Sequence, residues 1–131
     1  MIIIGDARFT SETLFRVENI DDIAKTPSNS VVFLNAQNID LQIFCFKNKV
    51  EYAIVIQDFK EAIYANNLNA KYIISNKDIA EKLQKIAENY LFDAKILVKI
   101  NNENEINKLC EIGVDGVIYE NILNLETTDN I

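Results

Sequence analysis

Four apolar residues, Val50, Ala70, Ala94 and Val114, stand at intervals of 20, 24 and 20 residues, and around three of them one local pattern repeats. Asn48-Lys49-Val50-Glu51-Tyr52-Ala53-Ile54-Val55, Asn69-Ala70-Lys71-Tyr72-Ile73-Ile74-Ser75 and Gly113-Val114-Asp115-Gly116-Val117-Ile118-Tyr119 each pass from Asn or Gly, through an apolar and a charged residue, into a short β-rich run. Asn and Gly tolerate the left-handed backbone that ends a helix, and an apolar residue just after it folds back onto the last turn. Each copy therefore reads as helix stop, then strand. A unit of about 20 residues holds one strand and one helix, and such alternation implies parallel strands joined by right-handed crossovers.

The expected strands are Val31–Asn35, Tyr52–Ile56, Tyr72–Ser75, Lys95–Ile100 and Gly116–Tyr119, mostly unbroken β-branched and aromatic runs that suit strands covered on both faces. Between them the spacing predicts helices over 39–47, 59–68, 77–90 and 103–112. Asp58, Asn76 and Asn102 are placed to cap the last three, with Glu105 completing a capping-box-like start. Ile106, Leu109 and Cys110 face inward in the last helix, and Tyr52, Tyr72 and Tyr119 pack beneath helix ends. The fold class expected is α/β: a mostly parallel sheet of about five βα units, flavodoxin-like or half-barrel-like, within one domain spanning 1–131. Residues 1–30 form an irregular N-terminal segment of strands Ile2–Ile4 and Leu14–Val17, read as a hairpin around the polar turn 6–13. A short helix follows and stops before Pro27. The repeats cover 31–120, and 125–131 is a polar tail.

Composition excludes much chemistry. Histidine is absent, which removes the usual neutral-pH base, the Ser-His-Asp and Cys-His systems and imidazole-built zinc sites. The two cysteines, Cys45 and Cys110, suggest free buried thiols in a reducing, cytoplasmic compartment. A net charge of −7 disfavours nucleic acid. No apolar run approaches a membrane span. Only Gly5, Gly113 and Gly116 are glycines, so no Gly-rich phosphate cradle exists. Neither a cofactor nor a metal is expected, although Asp6, Asp58 and Glu120 are carboxylates of the kind a hard cation uses.

In sheets of this type ligands sit beyond the carboxyl ends of the strands. That rule selects Asn35, Asp58, Ser75, Lys99 and Glu120, with their polar neighbours Gln57, Asn76, Asn101 and Asn121. Asp58 and Asn76 have a competing role as caps. Lys99 is the foremost candidate: it ends the apolar run Ile96-Leu97-Val98, where a desolvated amine suits Schiff-base or acid–base work.

Two resemblances bear on this. Glu61-Ala62-Ile63-Tyr64-Ala65-Asn66-Asn67-Leu68-Asn69-Ala70-Lys71-Tyr72-Ile73-Ile74-Ser75 resembles the EAxxAxxxGAxYIxS stretch of (β/α)8 barrels of the keto-deoxy-phosphogluconate aldolase type, with Asn69 in place of glycine. Ile112–Ile118 is similar to the same kind of element. The resemblance implies barrel-type βα units and a lysine-dependent aldolase, lyase or isomerase using Lys99 with Ser75 and Glu120, in a chain shorter than an eight-unit barrel requires. Asp58, Ser75 and Lys99 also resemble, in order and type, the Asp, Ser/Thr and Lys of two-component receiver domains, but Asp6 lacks an acidic neighbour and no proline follows Lys99.

The leading expectation is a non-enzymatic binding or protein-interaction module. If 39–47 is a helix, Phe44 and Phe46 diverge and leave apolar surface for a second copy or another protein. A Lys99 enzyme and a receiver-like domain phosphorylated on Asp58 are the alternatives.

Overall fold

The computed structural model describes residues 1–9 and 12–123, so the tail at 125–131 lies outside the described residues. Seven strands carry the architecture: β1 (Ile2–Ile4), β2 (Leu14–Arg16), β3 (Val31–Asn35), β4 (Tyr52–Val55), β5 (Tyr72–Ser75), β6 (Lys95–Ile100) and β7 (Gly116–Tyr119). Helices α1 (Ile20–Ala24), α2 (Ile39–Lys47), α3 (Phe59–Asn67), α4 (Ala80–Asn89), α5 (Glu105–Ile112) and α6 (Glu120–Leu123) follow β2 to β7 in turn, and a 3-10 turn at Lys77–Ile79 precedes α4. The sheet order is β1-β7-β6-β5-β4-β3-β2 and every pairing is parallel. From β2 to β7 each strand lies beside its predecessor. No switch point of the flavodoxin type exists, and the sheet curls into a half-barrel.

Alternation divides the side chains between two layers. Ile4, Leu14, Phe33, Ala53, Leu97 and Ile118, among others, meet on the concave face, where all seven strands contribute to one core. On the convex face Leu34, Ile54, Ile73 and Ile96 pack against Cys45, Ala65, Leu83 and other residues of the helices. Val98, Ile100 and Val117 pack against Leu109 of α5.

The helix stops have one geometry. Lys49, Asn69, Leu91 and Gly113 all have positive φ, between 53° and 86°. The next amide, that of Val50, Ala70, Phe92 or Val114, donates to the carbonyl five residues back, on Cys45, Ala65, Ala87 or Leu109, at 2.9 to 3.5 Å. These are Schellman-type closures. The first copy places its left-handed residue at Lys49 instead of Asn48, which absorbs the apparent insertion. At α4 the fold-back residue is Phe92, not Ala94, so the intervals become 20, 22 and 22.

Four expectations change. The first two strands do not form a hairpin: β1 pairs with β7 and β2 with β3, at opposite edges of the sheet. The β1 position depends on Gly116, where an added Cβ would lie 2.6 Å from the Ile2 carbonyl oxygen and 2.7 Å from Leu97 Cδ2. The repeat therefore starts at Leu14 and comprises six βα units, not five. Asn76 forms no side-chain cap, and α5 starts at Glu105, whose carboxylate accepts from the Asn101 and Asn102 amides while Asn102 Oδ1 accepts from Asn104. Cys110 is exposed, with its thiol bonded to the Asn107 carbonyl.

Tyr72 is the fourth change. Tyr52 does reach a helix end, donating to the Leu68 carbonyl at 2.8 Å, but Tyr72 faces the concave core and donates to Glu12. Lys71 Nζ donates to the same carboxylate at 2.7 Å. Because β1 and β2 run the same way, the chain after Ile4 must return to the opposite end of the sheet without a helix. Arg8, bonded to Asp6 and Glu103, ties this return near the end of β6, and Glu12 ties it at the start of β5. Among the described residues no helix is long and apolar enough to cross a membrane.

Burial raises the Glu12 pKa, but the Lys71 and Tyr72 hydrogen bonds outweigh it and hold the carboxyl below its ordinary 4.5. A carboxylate lowered in this way contributes stability above its unfolded pKa and loses it as pH falls through the folded value. Glu12→Gln should cost about 1 kcal/mol at pH 7, since the pair with Lys71 is partly exposed. Urea denaturation checks this: the gap between variant and wild type should close as pH falls below about 4.5, and a gap unchanged by pH would contradict it.

Candidate functional site

On five strands the position two residues past a concave-face core residue lies at the carboxyl end of the sheet. Leu14 leads to Arg16, Phe33 to Asn35, Ala53 to Val55, Leu97 to Lys99, and Ile118 to Glu120. The last inward layer is thus polar at four of these five places. All five residues line one cavity of about 410 Å³, whose apolar wall includes Phe33 and Leu123. This volume lies in the range of small-molecule sites, about 300 to 1,000 Å³. Its walls come from β2, β3 and β4 on one side and from β6 and α6 on the other, so the curl of the sheet creates the mouth.

The charges in the mouth differ in how they are engaged. Arg16 Nη2 lies 3.5 Å from Glu18 Oε1. Asn38 is fixed at the rim: its Oδ1 accepts from the Leu41 amide at 3.3 Å, and its Nδ2 donates to the Glu18 carbonyl at 3.0 Å. Lys99 and Glu120 are half-buried, and among the described residues neither side chain has a hydrogen bond or ion pair. Lys99 is level with Ile118 in the β6–β7 register. Glu120 follows the end of β7 as the first residue of α6, two residues past Ile118 in sequence.

Of the residues selected from the sequence, Asn35, Lys99 and Glu120 come together in the mouth, while Asp58 and Ser75 do not line it. Asp58 caps α3: its Oδ1 accepts from the Glu61 amide at 2.9 Å, and Glu61 Oε1 accepts from the Asp58 amide at 3.3 Å. Ser75 shares the convex face with Ile73, is fully buried, and donates to the Asn76 carbonyl at 3.2 Å. Asp6 is bound by Arg8, whose side-chain hydrogen bonds hold its pKa down at about 2. Among the described residues no group of three His, Cys, Asp or Glu is placed to hold a metal ion. The Cys45 thiol is buried between sheet and helices and pushed up to about 11 by that burial.

Sequence reasoning missed Arg16, Glu18 and Asn38. Arg16 carried a usable signal, since it stands two residues past Leu14 in a strand. Asn38 carried another as a side-chain cap directly before a helix. Glu18 carried none, because a charged residue in a short strand-to-helix loop is ordinary.

The division between cap and mouth is testable. Asp58→Ala should destabilise the fold by about 1 kcal/mol through loss of the capping box, measured by chemical denaturation. It should leave any ligand affinity of the mouth unchanged within error.

Comparison with models of protein families gave no match, and no curated protein matches this chain.

Proposed function

We propose that the protein is a binding module that holds a small polar molecule in the strand-end mouth. The observation that carries this reading is the pair Lys99 and Glu120, half-buried in a 410 Å³ cavity with no partner of their own among the described residues. A charge taken partly out of water without a partner is costly, so such groups are retained where a ligand supplies the counter-charge. Arg16 and Asn35 add donors from the opposite wall, and Phe33, Val55 and Leu123 offer apolar contact. The reading includes association with a second copy or a protein partner, supported by apolar side chains on the outside: Phe46 on α2 is 41% exposed, and Tyr90 and Leu91 after α4 are 71% and 84% exposed.

Calorimetry against small carboxylates, amino acids and phosphate esters tests the mouth. Lys99→Met should weaken the best ligand at least tenfold, about 1.4 kcal/mol, as expected when one charged hydrogen bond is lost. Binding that is indifferent to Lys99→Met, or absent for every class, would remove the reading.

A second reading, a lyase, isomerase or aldolase-like enzyme, rests on the same amine. Lys99 opens into the cavity beside Glu120, where an imine with a carbonyl substrate has an acid–base group at hand. Ser75, which faces the helix layer, has no part in it. Borohydride reduction in the presence of keto acids should add the substrate mass less one oxygen atom to Lys99 in this case, water leaving as the imine forms and two hydrogens entering on reduction, and an unmodified Lys99 peptide would leave binding alone. The receiver-like alternative finds no support in the geometry, since the Asp58 carboxylate is spent on its cap.

A further inference from the structure

We propose that the ligand class of the mouth is the α-amino acid: a molecule carrying an ammonium and a carboxylate a few bonds apart. This rests on the binding reading above and specifies its chemistry. Four charged side chains line the cavity, Arg16 and Lys99 against Glu18 and Glu120. Arg16 already has Glu18 at 3.5 Å. What remains among the described residues is one cation near the end of β6 and one anion at the start of α6.

This residue of charge discriminates among ligands. A simple anion such as a hydroxy acid or phosphate would neutralise Lys99 but would also bring like charge toward Glu120, which is unfavourable in a partly desolvated site. A simple amine has the mirror problem at Lys99. A zwitterion answers both charges at once, its carboxylate at Lys99 and its ammonium at Glu120, and leaves the site neutral. Both side chains line the same cavity, so a ligand's carboxylate and ammonium can meet them there together.

The rest of the cavity suits the same class. Asn35 presents an amide from the opposite wall, and Phe33, Val55 and Leu123 give apolar contact for a side chain. The mouth is not closed at that point: Glu18 and Asn38 also line a neighbouring recess of about 370 Å³ that contains Ile20 and Leu41. An amino acid larger than glycine therefore has space to extend its side chain outward, past the Asn38 rim, without disturbing the head group.

The test is calorimetry on the full chain with matched sets of three: an L-amino acid, the 2-hydroxy acid and the amine that share its side chain. Wild type should bind the amino acid at least tenfold more tightly than either partner. Glu120→Gln should erase the advantage over the hydroxy acid while leaving hydroxy-acid affinity unchanged or improved. If the hydroxy acid binds wild type as tightly as the amino acid, and Lys99→Met weakens both, the mouth is a binding site but the amino-acid assignment fails. If no member of any set binds, the binding reading fails with it. The wild-type comparison needs no variant, so the assignment is decided even if Glu120→Gln does not fold.

Discussion

All-parallel pairing is the constraint from which the rest follows. Each strand must begin at the same end of the sheet, so every connection must carry the chain the full length back, and the register of each strand fixes which of its side chains face inward. Four Schellman-type closures stop the helices that lead into β4 to β7. By bonding Val50, Ala70, Phe92 and Val114 to carbonyls five residues earlier, they end each helix in one geometry, while the residues that follow set the phase: the second after the closure is convex at Tyr52 and concave at Tyr72. A slip of one residue in any of these strands would turn the concave-face side chains outward and the convex ones in. Two of the four left-handed residues are Lys49 and Leu91, which pay a backbone penalty of roughly 1 kcal/mol where Gly would not. That they are tolerated indicates how strongly the packing on both sides enforces the stop.

The exception to this scheme is the first connection. Among the described residues it has no helix, and it joins the two strands that lie at opposite edges of the sheet. Where the other returns are held by apolar packing on the convex face, this one is held at two points by charge: Arg8 with Asp6 and Glu103 at one end, Glu12 with Lys71 and Tyr72 at the other. Hydrophobic packing could not serve equally here, since the residues between Asp6 and Thr13 are mostly polar or charged. Glu12 has a further role. Its carboxylate receives the hydroxyl of Tyr72, the one concave-face side chain whose polar tip needs a partner at the amino end of the sheet.

Much of this was legible in the sequence. Strands β3, β5, β6 and β7 and helix α2 have the bounds expected from β-branched runs and helix-stop residues. What could not be read has physical causes. The partner of β1 is 112 or more residues away in sequence, and no local propensity records a contact of that range; the polar turn after Ile4 satisfied the pattern of a hairpin equally well. Phe92 was passed over because its left-handed neighbour is Leu91, which carries no turn signature. Cys110 looked buried because cysteine usually is, but Ile106 and Leu109 already occupy the inward stripe of a helix of only eight residues. In the mouth, the strand-end rule selected nine residues without regard to face. Parity separates them: Asn35, Lys99 and Glu120 are in phase with the concave core, whereas Ser75 is in phase with the convex one.

The same parity argument bears on why a polar layer exists at all. A curled sheet of seven strands needs apolar side chains on its concave face for as long as opposing strands can fill the space between them, and here that requirement ends at Phe33, Ala53, Leu97 and Ile118. Beyond it, stability places little demand on the identity of the next inward residue, except that a buried charge must be matched. Arg16 meets that condition through Glu18 within its own strand-to-helix loop. Lys99 and Glu120 do not meet it through any described residue. A layer free to be apolar, or self-neutralising, is instead charged on one wall and unmatched among the described residues, and fold stability supplies no reason for that arrangement. A ligand with complementary charges does.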